Sequence, residues 1–497
     1  MSRALPSSSS LVGTIAAAFL LLCGCPPSAS EGDVGADAAI PPDIQVPDAQ
    51  VLVLDGGTPA FSITDNLLVA ENGRAPSIDR DSRGGLHVAY LCACDPVADG
   101  NSAESRCSKI CYSRLDCVGI HTVVGPEEGI ADGTSAWGAV VSTTIRLDEQ
   151  DQVFVLKDLR NKQIQHPQVD PNSVHRFDPA QGRFVKVNGD FDAMAILPIG
   201  GVIYMVKKID ESEEVPTGIY LAAIDYSGQT VIGERLIAPT STTAALFVGG
   251  MAMDGSGLLH IAYRIDDSVA PKTHDMKEIV FDPGSGQVVQ HLSTVNARIG
   301  DHHGIAIGGE ERELLAVAAP VAWSQGLRVA QRRLDDQAWV TRDYFTDDPR
   351  VTWNGDGSAG CDYLNPELAI DKLNRIFVAF GGISQEDVDG QREDFKVCEY
   401  QGPCDCQETP GSCFYSINAY VFTVYENGAA GPVELVRPGS TYENYQGKGE
   451  GSVELVAAWD QGVFAVYEHL EGFDGKYNLY IKPIGGAKTA CGVAIVK

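Results

Sequence analysis

The chain has 497 residues, of which 44% are hydrophobic and 21% charged, an ordinary composition for a globular protein that can bury a large core. It has 37 Lys and Arg residues and 67 Asp and Glu residues, which gives a formal net charge of −30. A surface this acidic repels nucleic acid and anionic lipid headgroups, and it argues against binding to a phosphate backbone.

The first segment of the chain predicts export. Arg3 precedes an apolar stretch, residues 11–22, that is too short to span a membrane and is typical of a signal peptide. The stretch ends in Leu22-Cys23-Gly24-Cys25, which resembles the lipobox of bacterial lipoproteins. The resemblance implies that residues 1–24 are a signal peptide and that Cys25 becomes lipid-modified and anchors the protein to a membrane.

Pro26 follows this cysteine where retention in the inner membrane would favour Asp. The lipobox resemblance therefore implies the outer membrane or cell surface of a Gram-negative bacterium, with a periplasm-facing position as the alternative. An ordinary secretory signal with incidental cysteines is the other interpretation of the segment.

The next segment, residues 25–59, is rich in Pro, Asp, Ala and Gly and has no sustained periodicity. Such a composition cannot bury enough apolar surface to offset the entropy lost on ordering. We expect a disordered acidic tether that holds a folded domain, residues 60–497, away from the bilayer.

A recurring strand–turn–strand pattern runs through that domain. Its clearest copies are PSIDRDSRGGLHVAY from Pro76 and GGMAMDGSGLLHIAYR from Gly249. Weaker copies begin at Thr144, Ala195, Gly304, Pro366 and Ser452. Five of the seven copies are followed by a second hairpin pattern, which begins at Ser173, Ile219, Glu278, Leu327 and Ala419.

Two hairpins per unit give four antiparallel strands, which is the blade of a β-propeller. The repeats resemble those of bacterial seven-bladed propellers, of the form Ile-Asp-x-x-Gly-x-x-His-Val-Ala-Tyr. We therefore predict an all-β fold, a seven-bladed β-propeller of four-stranded antiparallel blades. Residues 61–70 should close the ring by adding an outer strand to the last blade, beside residues 477–484, and residues 491–496 compete for that place.

Polar residues of the repeat have structural interpretations. We expect His87 and His260 to be hydrogen-bonded strand histidines that pack between blades. Four aspartates should cap their own turns rather than bind a metal, namely Asp79, Asp148, Asp254 and Asp371.

The long insertions all fall in two kinds of connection, the second-to-third strand of a blade and the link to the next blade. The predicted insertions are residues 91–109, 120–136, 294–303, 346–365, 384–414 and 437–451. In a four-stranded meander both kinds of connection leave the ring on the same face. Long loops on a rigid scaffold commonly carry function, so we predict that this face binds a ligand.

Cysteines concentrate in the insertions of the first and sixth blades, which would flank blade seven. The disulfide candidates are Cys92, Cys94, Cys107, Cys111, Cys117, Cys398, Cys404, Cys406 and Cys413. An exported compartment favours disulfides, and no regular paired Cys-x-x-Cys pattern points to zinc instead. An odd number of cysteines remains after processing, so one thiol is left over, with Cys361 and Cys491 the isolated candidates.

Other residues of the same face are candidate ligands. Asp301, His302 and His303 form either a metal-binding group or a polar loop before a strand. Asn354, Asp356, Ser358 and Asp362 resemble the alternating oxygen ligands of a calcium loop but lack its final Glu, and no cofactor beyond this Ca²⁺ is expected. Four aromatic residues suit stacking on sugars or peptides, or pack the loops together, namely Trp137, Trp353, Tyr442 and Tyr445.

The patterns of several enzyme classes are missing from the sequence. It contains no convincing sialidase Asp-box, no nucleophile elbow before a helix, no phosphate loop and no set of tryptophan docking repeats. We therefore expect a lipid-anchored, monomeric binding or scaffold module that recognises a cell-surface protein or polysaccharide. The alternative is a carbohydrate-active enzyme, a glycosidase or lyase, with acidic residues at the channel mouth.

Overall fold

The structure is a computed structural model that describes sixteen segments of the chain. They are residues 66–95, 106–131, 142–158, 172–187, 191–209, 215–240, 245–266, 274–296, 304–321, 326–336, 338–346, 348, 366–383, 417–437, 453–471 and 476–488. These segments form 29 β-strands, β1 to β29. Within them no helix is long and apolar enough to cross a membrane.

Seven antiparallel sheets contain these strands, and each sheet is one blade. Blade 1 contains β2 (Arg74–Arg80), β3 (Leu86–Asp95), β4 (Arg106–Asp116) and β5 (Gly119–Val124), with the short β6 (Ile130–Ala131) paired to β4. Blade 2 contains β7 (Ser142–Leu147), β8 (Val153–Asp158), β9 (Ser173–Asp178) and β10 (Arg183–Lys186). Blade 3 contains β11 (Ala195–Ile199), β12 (Val202–Ile209), β13 (Gly218–Asp225) and β14 (Thr230–Pro239).

The remaining four blades follow in the same order. Blade 4 contains β15 (Ala245–Met253), β16 (Leu259–Asp266), β17 (His274–Asp282) and β18 (Gln287–Asn296). Blade 5 contains β19 (Gly304–Gly308), β20 (Leu314–Pro320), β21 (Leu327–Arg333) and β22 (Val340–Tyr344). Blade 6 contains β23 (Glu367–Ile370), β24 (Ile376–Ile383), β25 (Ile417–Val424) and β26 (Ala430–Arg437). Blade 7 contains β27 (Val453–Ala457), β28 (Val463–Glu471), β29 (Lys476–Ile484) and the first strand of the chain, β1 (Leu67–Ala70).

The innermost strands of the blades form a closed ring. Each of β2, β7, β11, β15, β19, β23 and β27 contacts the innermost strand of the blade before it and of the blade after it, and β27 contacts β2. Seven four-stranded blades in such a ring are a β-propeller. The predicted fold class is confirmed.

The core lies between neighbouring blades, because alternate residues of a strand point to opposite faces of its sheet. On β3, Leu86 and Val88 pack with Phe464 and Ile481 of blade 7. The next residue, Ala89, packs instead in the interface with blade 2. Both faces of a blade are therefore buried, and this explains why the second strand of each repeat is a nearly continuous apolar run.

The ring closes as predicted. Strand β1 pairs antiparallel with β29, with Leu67 opposite Ile481, and so supplies the outer strand of blade 7. Val69 is buried between the first and last blades, and the Gly73 N–H donates to the carbonyl of Tyr477 at 2.8 Å. The competing segment, residues 491–496, lies outside the described residues.

The turns between first and second strands lie at one end of the ring, which we call the hairpin-turn face. These turns are residues 81–85, 148–152, 200–201, 254–258, 309–313, 371–375 and 458–462. Asp148, Asp254 and Asp371 cap their own turns as predicted; the Oδ1 of Asp254, for example, accepts the N–H groups of Ser256 and Leu258 at 2.9 Å.

The prediction for Asp79 is wrong, because Asp81 caps the turn of blade 1. The Asp81 Oδ1 accepts the N–H groups of Arg83 at 3.0 Å and Gly85 at 2.6 Å. Asp79 lies two residues earlier, and its Oδ2 accepts the N–H of Leu147 at 2.7 Å, which links blade 1 to blade 2.

The two repeat histidines are buried, hydrogen-bonded strand residues as predicted, and they also hold the turns to their blades. His87 contacts the Asp81 Oδ2 at 3.2 Å through Nε2 and the Tyr112 hydroxyl at 2.6 Å through Nδ1. His260 makes the corresponding contact with the Asp254 Oδ2 at 3.1 Å, and both histidines are buried. Each bond ties the turn aspartate to the second strand of its own blade.

We call the opposite end of the ring the connection face. The connections between second and third strands and the links between blades leave the ring there. Two predicted insertions are partly strand: β3 continues to Asp95 and β4 begins at Arg106, within residues 91–109. The short β6 likewise falls within residues 120–136. Antiparallel pairing of Cys94 with Cys107 extends the sheet there, so this connection is shorter than predicted.

Candidate functional site

The residues predicted to bind a ligand or metal, to carry the lipid and to form the disulfides of blade 6 all lie outside the described residues. They are Cys25, Trp137, Asp301, His302, His303, Trp353, Asn354, Asp356, Ser358, Asp362, Cys398, Cys404, Cys406, Cys413, Tyr442 and Tyr445. Their roles stay predictions. In the part of the chain that the structure describes, no group of three or more His, Cys, Asp or Glu residues could hold a metal ion.

Four cysteines of blade 1 lie on the parts of β3 and β4 that lead to the connection face, and Cys117 lies in the turn between β4 and β5. Cys92 on β3 and Cys111 on β4 form a disulfide with Cα atoms 5.8 Å apart, and both residues are buried. Cys117 is also disulfide-bonded. Cys94 and Cys107 face each other in the β3–β4 register. Three of the predicted disulfide cysteines are therefore oxidised, and their sulfur atoms are not zinc ligands.

A β-bulge beside this disulfide shapes the start of β2. The pairing with β3 shifts between Arg74 and Ser77, and Ala75 has a left-handed φ of 42°. Alanine rarely adopts that conformation, and bulges often redirect a side chain near a functional site. Here the bulge directs the Ala75 N–H to the Oε2 of Glu468, on β28 of blade 7, at 2.9 Å.

Arg74 lies against the same carboxylate. Its Nε is 3.8 Å from the Glu468 Oε2, and its guanidinium carbon is 4.2 Å from the ring centroid of Tyr477. The Glu468 side chain is 2% exposed, whereas the Arg74 side chain is 16% exposed. Arg74 is thus held between an aromatic face and a buried carboxylate, and part of its side chain reaches the solvent.

Blade 6 contributes a second arginine to this group. Arg437 is 1% exposed, and its Nη1 donates to the backbone carbonyl of Glu468 at 2.8 Å. Nearby on β28, the Tyr467 hydroxyl donates to the Asn66 Oδ1 at 2.7 Å. We call Arg74, Arg437, Tyr467, Glu468 and Tyr477 the junction cluster, because they join blades 6, 7 and 1 at the connection face.

The junction cluster is suited to hold a ligand rather than to transfer protons. Glu468 is buried and accepts an N–H, and Arg74 lies beside it, so the carboxylate is compensated and turned away from solvent. Below it, burial raises the pKa of Tyr90, so its hydroxyl stays protonated. The Arg74 side chain is partly exposed, and a guanidinium can donate to carboxylate, sulfate or hydroxyl oxygens.

The sequence predicts the face from which the long connections leave, but it gives almost no sign of the junction cluster. Ala75 and Glu468 are 393 residues apart, and neither lies in a recognisable motif. The one local signal of the bulge is Pro76, in the run Arg74-Ala75-Pro76 at the start of β2. Pro cannot donate to a strand ladder and is often found at bulges.

Comparisons with known proteins identify no family for the chain. No family model matches the chain, and no curated protein sequence matches it. A polysaccharide lyase described as an ulvan lyase is 9% identical with a TM-score of 0.47, over 85% of this chain and 95% of the lyase. A Dyadobacter fermentans protein of unknown function is 9% identical with a TM-score of 0.40, over 85% of this chain and 98% of that one.

A sialidase from the Hadza microbiome is 12% identical with a TM-score of 0.37, over 84% of this chain and 66% of the sialidase. An identity this low carries no active site from one propeller to another, because one fold hosts many unrelated functions. The chain therefore belongs, on its own structure, to the β-propellers with a one-sided set of long connections.

Proposed function

We propose that the protein is a membrane-anchored extracytoplasmic binding or scaffold module that recognises a protein or polysaccharide through its connection face. The observation that carries the proposal is the junction cluster, in which a bulged inner strand and two neighbouring blades hold Arg74 on the ring of Tyr477. Rigid positioning of a cation and an aromatic ring lowers the entropy cost of binding a ligand.

The division of the ring into two unlike faces supports the same proposal. The hairpin-turn face has short turns, of which those of blades 1, 2, 4 and 6 are capped by their own aspartates, whereas the long connections leave from the connection face. A rigid scaffold that presents long loops on one side is a common design for recognition.

The proposed location is the outer membrane or cell surface, through a lipid on Cys25. The Cys92–Cys111 disulfide supports an oxidising compartment, because such bonds rarely persist in the cytosol. The acidic surface suits a protein that stays soluble above an anionic membrane while its anchor holds it there.

The experiment compares the full-length wild type with Arg74→Ala and Arg74→Lys on a glycan array and by cross-linking to surface proteins of the source cells. We expect Arg74→Ala to weaken binding at least about tenfold. Arg74→Lys keeps the positive charge beside Glu468, so it separates loss of the guanidinium fork from loss of folding. Arg183→Ala removes an exposed arginine from the hairpin-turn face and should bind as the wild type does.

A reducing-end assay on the glycans that bind distinguishes recognition from catalysis. Stable binding without new reducing ends supports the binding module. Turnover without stable binding, or an Arg74→Ala variant that binds every partner as the wild type does, contradicts the proposal. Turnover would support the carbohydrate-active enzyme instead.

A further inference from the structure

The hairpin-turn face carries a separate group of cations at the centre of the ring. Arg80 ends the inner strand of blade 1, Arg312 lies in the turn of blade 5, and Lys372 lies in the turn of blade 6. In the part of the chain that the structure describes, none of the three forms a direct ion pair. Unpaired cations are unexpected on a chain whose net charge is −30.

Two of these cations meet at one tryptophan. The guanidinium carbon of Arg80 is 5.6 Å from the ring centroid of Trp459, in the turn of blade 7, and the Lys372 Nζ is 4.5 Å from it. The ring attracts both cations and holds them close together despite their repulsion. The Nη1 of Arg80 is buried and has no hydrogen-bond partner among the described residues. A buried guanidinium nitrogen without an acceptor is costly, so an added acceptor at this nitrogen would be favourable.

The third cation lies in the neighbouring turn on the same face. Arg312 has a left-handed φ of 56° and is solvent-exposed. Its turn lies beside that of blade 6, because the Asn374 Nδ2 donates to the Glu313 Oε1 at 3.0 Å. Partial desolvation lowers the pKa of Arg312, and nearby carboxylates of blades 4, 2 and 1 oppose that shift.

The nearby carboxylates are committed to other donors. Asp79 accepts the N–H of Arg80 at 2.8 Å and the N–H of Leu147 at 2.7 Å, one with each oxygen. In Asp254, Oδ1 accepts turn N–H groups and Oδ2 contacts His260. The Oε2 of Glu149 accepts the N–H of Gly200 at 3.1 Å. These three carboxylates lower the positive potential of the mouth, but they form no hydrogen bond with the guanidinium N–H groups.

We propose that Arg80, Arg312 and Lys372 form an oxyanion-binding site at the hairpin-turn mouth, which takes one carboxylate, sulfate or phosphate group. The guanidinium groups supply N–H donors in a fixed fork, and Lys372 adds a point charge beside Trp459. The committed carboxylates around the mouth repel an extended polyanion and admit a single anionic group. The site lies at the opposite end of the ring from the junction cluster and does not depend on the proposed function.

The test is calorimetric titration of the full-length protein at constant ionic strength with sulfate, phosphate, glucuronate and an oligosaccharide that ends in glucuronate. The variants are Arg80→Gln and Arg312→Gln, with Arg183→Gln as a control that makes the same charge change at an exposed turn. We expect millimolar binding or tighter by the wild type and the control, and at least about tenfold weaker binding by the two mouth variants.

Thermal unfolding without ligand separates a binding role from a structural one. Because Arg80 Nη1 has no protein acceptor, Arg80→Gln should unfold at the same temperature as the wild type or higher, and should lose the stabilisation that the anion gives the wild type. Binding of free ions identifies a small-anion site, and binding of the oligosaccharide alone identifies a terminal acidic sugar. No binding of any probe, or equal binding by the mouth variants and the control, overturns the proposal.

Discussion

His175 lies partly buried on β9, where its Nε2 is 2.9 Å from the Ser173 hydroxyl. Burial, with Lys157 and Lys186 nearby, lowers its pKa from 6.5 to about 4. The unfolded chain therefore binds a proton at this residue between those two pH values and the folded chain does not, so stability falls as the pH falls through this window.

We predict that acidification from pH 7 to pH 4 destabilises the wild type by about 2 kcal/mol more than it destabilises His175→Gln. Urea unfolding at a series of pH values measures the difference. His121→Gln, at a side chain that is 48% exposed, serves as the control and should retain the whole acid loss. The pKa values of Asp81 and Asp254 are lowered from 3.8, so the stability that these two carboxylates contribute is lost only below that pH. If the free energies of unfolding of the wild type and of His175→Gln change equally with pH, His175 is not the source of the stability lost in acid.

Gly73 occupies the passage between the closing strand and blade 1. A Cβ atom there would lie 2.8 Å from the Leu479 Cδ1 and 3.0 Å from the Tyr90 Cδ2. We predict that Gly73→Ala destabilises the protein by about 1–2 kcal/mol, because both neighbours are buried and must shift. Gly233→Ala is the matched control, since nothing lies within 4 Å of its Cβ position. Equal unfolding midpoints for the two variants would contradict the packing argument.

Among the elements, β3 and β4 are joined both by their ladder and by the Cys92–Cys111 disulfide, which spans 19 residues. We predict that Cys92→Ala/Cys111→Ala lowers the free energy of unfolding by about 2–4 kcal/mol through the added entropy of the unfolded chain. Denaturant unfolding of the double variant measures this effect. The double variant keeps the disulfide of Cys117, whereas chemical reduction would break that disulfide as well. An unchanged midpoint would show that the ladder alone holds this end of blade 1.

The strands could be predicted from the sequence because each inner hairpin combines period-two apolar residues with an Asp- and Gly-containing turn, and both signals are local. The spacing of the repeats then gave the number of blades, and the position of residues 61–70 before the first hairpin gave the closing strand. Asp79 was assigned to the wrong role because Asp79 and Asp81 both stand near the turn, and only the register of β2 against β3 distinguishes them.

The junction cluster and the hairpin-turn mouth could not be predicted in this way. Arg74 meets Glu468, and Arg80 meets Trp459, only because ring closure brings blade 7 beside blade 1. Such pairs carry no periodicity and no fixed spacing. The bulge at Ala75 is likewise a consequence of pairing with Glu468 rather than of local preference, because alanine by itself disfavours a left-handed φ.

At the level of the whole molecule, closure depends on a strand of four residues, and its two faces give a matched test. Val69 is 5% exposed and packs in the core between blades 7 and 1, whereas Leu68 is 38% exposed. We predict that Val69→Asp destabilises the protein by several kcal/mol, because it buries an unpaired charge, and that Leu68→Asp changes stability by about 0.5 kcal/mol or less. Thermal unfolding measures the loss of stability, and limited proteolysis of the N-terminal segment measures the release of β1. Equal behaviour of the two variants would show that β1 does not close the ring.

The pairing of β1 with β29 also fixes when the protein can finish folding. Asn72 donates its N–H to the side chain of Asn478, 406 residues further along the chain, so β1 has no partner until the ribosome has made β29. Contacts this distant in sequence form slowly, and an unfinished ring exposes strand edges that aggregate. The ring therefore cannot close during synthesis until β29 is complete, and loss of β29 would open the whole ring rather than remove one blade.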